Sequence, residues 1–266
     1  MLGKLLKHEF RATGRIMGPM YLVLLALSVG ANLSVRIFDS SESTLLDILG
    51  GLIMVAFGIS IVAILVMSFV LMINRFRTNL MSDEGYMMFT LPVSVHELVW
   101  SKIIVSTVWF VATFLAVCIS GLIVAFRISY INGFVELIKI LIEKITAYYA
   151  LNGAAVTLEI VLLILVSCAG FCLLFYASMA VGHSFSTRKK LMSVIFFFAF
   201  QFIVQTVGSI FLVGIRSLDF DWINWNLTTV GAVHAALWLS IAGALIYAAV
   251  LYAITTTMLK KRLNLE

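Results

Sequence analysis

Two histidine–glutamate pairs, His8-Glu9 and His96-Glu97, open the HExxH pattern that sets two imidazoles and a carboxylate on one helix face around zinc. Ala12 and Trp100 stand where the second histidine belongs, so neither pair completes a metal site. Cys168 and Cys172 share a helix face without a histidine or acid beside them and read as packing residues. Together with Cys118 they lie in apolar runs, which argues for reduced thiols rather than a disulfide framework. No GxxxxGK[ST] phosphate loop occurs, so the chain is expected not to hydrolyse ATP itself and to be no enzyme. Two ionisable groups fall at the margins of apolar runs, Glu159 and His234. An acid at bilayer depth costs roughly 2.5–3.5 kcal/mol on the insertion scale, so Glu159 is expected at an interface. His234 is expected as a hydrogen-bonding partner within a helix bundle. No polar constellation marks a substrate pocket.

What must position these groups follows from composition. Of 266 residues, 62% are hydrophobic and 12% charged, against about 25% charged in an ordinary soluble domain. Such a chain has too little polar cover for water and is expected to be an all-α, multi-pass membrane protein forming a single domain over 1–266. Six apolar runs are long enough to cross a bilayer core, which needs about 20 helical residues: 16–35, 48–73, 103–126, 159–182, 191–214 and 231–259. Gly50, Gly51 and Gly58 in the second and Gly231 and Gly243 in the sixth are places where helices could approach closely.

Of the 18 Lys and Arg, all but Arg36, Arg127, Lys139, Lys144 and Arg216 lie in the connections on one side of those spans. The positive-inside rule then puts both termini in the cytoplasm. Basic residues scattered between apolar runs do not form a nucleic-acid surface, and no nucleic-acid partner is expected.

Three segments are not spans. Residues 2–17 form a two-faced wheel, with Leu2, Leu6, Phe10, Thr13 and Met17 opposite Lys4, Lys7, His8, Arg11 and Arg15. This predicts an amphipathic helix over about 1–15 on membrane lipid, ended by Gly18-Pro19 before the first span. In the outer connection, Phe134, Ile138, Leu141 and Ile145 make an apolar stripe opposite Glu136, Lys139 and Glu143, which predicts a surface helix near 131–147. The third segment, 74–102, is the longest inner connection. Ser94-Val95-His96-Glu97 fits a capping box after Pro92, so a helix should begin there and continue into the third span. Ahead of it, Asp83-Glu84 favour the start of a short helix that exposes Tyr86, Met87, Met88 and Phe89, with Gly85 as a turn of positive φ.

Lys7-His8-Glu9-Phe10, Asp83-Glu84-Gly85, Thr90-Leu91-Pro92-Val93-Ser94 and Lys102, within six spans with both termini inside, resemble the permease subunits of type-2 ATP-binding-cassette (ABC) exporters. The local motif covers about 20 residues, the architecture the whole chain. The resemblance implies a coupling helix over Asp83, Glu84, Gly85, Tyr86, Met87, Met88 and Phe89 that docks on a separate ATPase subunit. It makes the helix bearing Lys4, Lys7, Phe10, Arg11 and Arg15 its neighbour. It further implies that ATP and magnesium are held by that partner, that a second copy or a sister permease completes the complex, and that the location is a bacterial cell membrane. The exported substrate, whether peptide, lipid, drug or ion, is not implied. The chain departs from the family in having its larger outer element between spans three and four rather than before the last span.

Overall fold

The computed structural model describes residues 2–38, 44–82, 85, 90, 92–125, 133, 135–140, 143, 153–185, 188–217 and 230–261. Six long helices follow one another: α1 (Leu2–Phe38), α2 (Thr44–Met81), α3 (Val95–Val124), α4 (Gly153–Gly182), α5 (Lys189–Ser217) and α6 (Val230–Lys261). Each contains a stretch long and apolar enough to cross a membrane. Their large apolar side chains stand exposed along the outside, among them Leu22, Val62, Phe114, Leu158, Phe202 and Ile246. Lipid is the solvent such a surface fits. The chain is a multi-pass helical membrane protein.

The expected break at Gly18-Pro19 is absent. Residues 2–17 and the first span form one helix with Pro19 inside it. Proline has no N–H to give the carbonyl four residues back, yet spanning helices tolerate it where neighbours hold the backbone. At 1.5 Å per residue α1 is about 55 Å long, well beyond a hydrocarbon core of about 30 Å. The basic turn therefore extends a span instead of forming a separate helix over 1–15. Its stripe is also covered by protein: Phe10 lies 6.3 Å from Trp109 between ring centroids, and Thr13 and Met17 are buried. Lys4, Lys7, Arg11 and Arg15 remain exposed.

The helices form two compact units, one of residues 1–72 and 104–141, the other of 73–103 and 142–266. In the first, Met17 and Leu24 of α1 pack against Ile64 and Leu71 of α2. Polar ties then fix α1 along α3. Trp109 Nε1 donates to Thr13 Oγ1 at 2.7 Å, Tyr21 Oη lies 2.9 Å from Thr113 Oγ1, and Asn32 Nδ2 donates to the Ile123 carbonyl at 2.9 Å. Those three contacts rise together along both helices, so α1 and α3 run parallel. Residues 135–140, within the predicted outer helix, are helical and exposed, while Phe134, Leu141 and Ile145 lie outside the described residues.

In the second unit, the last turns of α2 and the first of α3 pack with α4, α5 and α6. Phe76 of α2 stacks on Tyr176 of α4 at 4.0 Å, and both are fully buried. The contacts Glu159–His234, Gly170–Tyr247 and Ser184–Met258 run α4 parallel to α6. Phe175–Phe197 and Phe185–Phe196 run α5 back against α4.

Candidate functional site

The connection between α2 and α3 belongs to the second unit, and side chains at its two edges anchor it there. At the near edge, Asn79 stands two residues before the end of α2. At the far edge, Ser94 precedes α3. The predicted capping box is formed: Glu97 N donates to Ser94 Oγ at 3.2 Å, and Ser94 N donates to Glu97 Oε2 at 3.1 Å. Two N–H groups that the first helical turn would leave orphaned are thereby satisfied. Ser94→Ala is expected to destabilise this helix start by about 1 kcal/mol, read as faster amide exchange confined to residues 95–99. Unchanged exchange there would mean that packing alone sets where α3 begins.

Immediately before the apolar run 103–126 of α3, Lys102 is 3% exposed and donates from Nζ to Asn79 Oδ1 at 3.0 Å. A buried ammonium is tolerated where polar atoms surround it, and Asn79 is itself buried. This bond ties the last turn of α2 to α3 across the intervening connection. A second tie runs to α6. Lys260 Nζ lies 2.8 Å from His96 Nε2, and His96 Nδ1 lies 2.7 Å from Tyr252 Oη. An ammonium has only donors, so Nε2 accepts, the proton sits on Nδ1, and Nδ1 donates to the tyrosine oxygen. Trp100 packs beside the same tyrosine, with ring centroids 5.7 Å apart. The start of α3 is thus fastened to α2 through an amide–ammonium bond and to α6 through an imidazole.

Of the residues expected to form the ATPase contact, Asp83, Glu84, Tyr86, Met87, Met88 and Phe89 lie outside the described residues. Gly85 is described, and it differs from expectation. It is helical and buried, its N–H donates to the Ser82 carbonyl at 2.7 Å, and no described glycine has positive φ. Burial without a side chain, rather than a left-handed turn, is what suits glycine at this place.

A second polar constellation lies toward the opposite ends of α4 and α6. Glu159 is 5% exposed, and both of its carboxylate oxygens approach His234 Nδ1, at 2.9 and 2.8 Å. Sequence reasoning placed the two residues separately and did not join them. The available signal was their helical position. Each stands one to two turns from its helix start, on helices that run parallel. Among the described residues no group of three or more His, Cys, Asp or Glu side chains could hold a metal ion.

No family of known proteins, no curated protein and no solved structure matches this chain.

Proposed function

We propose that the chain is the membrane-spanning permease subunit of an ABC exporter, driven by ATP hydrolysed on a separate subunit. The observation that carries this reading is the anchoring of the 82–94 connection. Lys102–Asn79 and the capping box fix both of its edges, and His96, bonded to both Tyr252 and Lys260, ties the start of α3 to α6. A push delivered between those two edges moves α2, α3 and α6 together, as a subunit that receives its work by contact requires. The resemblance of Asp83-Glu84-Gly85 and Thr90-Leu91-Pro92-Val93-Ser94 to the family's coupling segment supports the same reading, as does the basic asymmetry that puts this connection in the cytoplasm. ATP and magnesium then belong to the partner, and a second permease completes the path.

The test is recovery of a nucleotide-binding partner. A tagged full chain, purified from its own membranes in mild detergent, should bring an ATPase with it. Tyr86→Ala with Phe89→Ala should release that partner while the chain stays inserted, since buried aromatic anchors are worth about 2 kcal/mol or more. Asp83→Ala with Glu84→Ala should weaken the complex less, because rim charges are screened by salt. Equal recovery of the ATPase with a chain lacking residues 83–89 would remove the coupling assignment.

One observation favours a second reading, a transporter driven by an ion gradient. Ionisable residues held inside spanning helices commonly belong to proton or ion pathways, and Glu159 with His234 is such a pair. Transport by the purified chain alone, driven by a pH gradient across vesicles, would decide for it.

A further inference from the structure

Where α4 meets the start of α5 and the end of α2, the second unit forms a half-open pocket of about 430 Å³. Its size lies within the range of about 300–1,000 Å³ typical of small-molecule sites. The wall is of two kinds. Phe175, Phe197 and Phe198 give it an apolar, aromatic side. Arg77, Lys190 and His183 give it a basic side, and no Asp or Glu is among its described lining residues. Arg77 and Lys190 are exposed, whereas His183 is 2% exposed and held by a 2.9 Å contact from Nδ1 to the Met179 carbonyl. Two fixed cations therefore face an opening whose depth is hydrocarbon-like. That pairing matches an amphiphile with an anionic head and an apolar tail, and it is poorly matched to a small hydrophilic ion or to an uncharged lipid.

The surroundings narrow the occupant. Arg77 and Lys190 lie just beyond the apolar runs 48–73 of α2 and 191–214 of α5, where the sequence changes from apolar to basic. Basic pockets between spanning helices at such a boundary recognise phosphate headgroups. We infer that this cavity binds an anionic phospholipid, its phosphate between Arg77 and Lys190 and one acyl chain along Phe175, Phe197 and Phe198. The inference is independent of how transport is powered.

The experiment uses the full chain in mild nonionic detergent, titrated separately with phosphatidylglycerol and phosphatidylcholine, bound lipid being counted by native mass spectrometry. Phosphatidylglycerol should be retained at concentrations at least about tenfold lower than phosphatidylcholine, a difference of about 1.4 kcal/mol. Arg77→Gln with Lys190→Gln should abolish that preference and leave phosphatidylcholine binding unchanged. Lys4→Gln with Lys7→Gln, which removes two exposed charges from α1, should leave the preference intact. Val194→Trp, which fills the apolar side while keeping both cations, should weaken phosphatidylglycerol binding, and circular dichroism should show each variant folded. Excess glycerol phosphate should fail to displace the lipid, because it lacks the tail. Equal retention of the two lipids would overturn the inference. So would an equal loss on removing Lys4 and Lys7, or displacement by glycerol phosphate, which would mark a site for free anions.

Discussion

His234→Leu is expected to lower the stability of the folded chain in detergent by about 3–5 kcal/mol, and Glu159→Leu by less, about 1–3 kcal/mol. The asymmetry follows from what each change leaves behind. Without His234, a carboxylate that is 5% exposed keeps its position but loses the N–H that both of its oxygens share. An uncompensated buried charge is strongly destabilising, commonly by about 3–5 kcal/mol when one partner of a pair is removed. Without Glu159, the survivor is an imidazole whose side chain is 25% exposed, so the N–H loses its acceptor at a less buried place. The double variant Glu159→Leu/His234→Leu should regain most of the loss, because it removes both polar groups at once. Thermal unfolding followed by circular dichroism completes the double-mutant cycle. Strict additivity of the two single losses would mean that the residues do not act as a pair.

The same variants separate the two energy sources. If the chain works through an ATPase, the double variant should fold and still support ATP-driven transport, the pair being a structural tie between α4 and α6. If an ion gradient drives it, Glu159→Gln, which keeps the side-chain shape and removes the ionisable group, should abolish transport while the helices stay intact.

How far the sequence carried differs from element to element. The six spans were legible because uninterrupted apolar runs have one outlet in a chain this poor in charge. The capping box at Ser94 was legible because its two hydrogen bonds lie within four residues. What failed was local reasoning about continuity. Gly18-Pro19 breaks a helix in water, but α1 runs through it because Trp109, far along the chain, covers the stripe at Phe10 and Thr13. The ties Lys102–Asn79, His96–Tyr252 and Glu159–His234 were not legible either. Their partners are 23, 156 and 75 residues apart, and only the packing of helices brings them together. Glycine misled in the same way. Gly51, Gly58, Gly231 and Gly243, candidates for close helix contact, have nothing within 4 Å of the place a Cβ would occupy.

The close contact lies instead at Gly182, the last residue of α4. A methyl added there would fall on Ser193 Oγ and would lie 2.5 and 2.6 Å from the Ser193 backbone N and Cα. A flexible side chain can swing away from such an overlap; backbone can do so only if α4 and α5 separate. Gly182→Ala is therefore expected to destabilise the α4–α5 pair by about 1–3 kcal/mol, the usual range for overpacking, even though alanine is the better helix former. Gly30, where an added Cβ would meet only the Ile53 side chain at 3.2 Å, supplies the comparison. Gly30→Ala should be near neutral, since a terminal methyl can shift by a few tenths of an ångström. The separation forced by Gly182→Ala also reaches the phospholipid cavity, because Ser193, Val194 and His183 all line it. Native mass spectrometry should then show the preference for phosphatidylglycerol reduced in Gly182→Ala and preserved in Gly30→Ala. If Gly182→Ala instead matched the wild type in both melting temperature and lipid retention, α4 and α5 would not be held at backbone contact, and the cavity walls would have to be set by the aromatic stack of Phe175 on Phe197 alone.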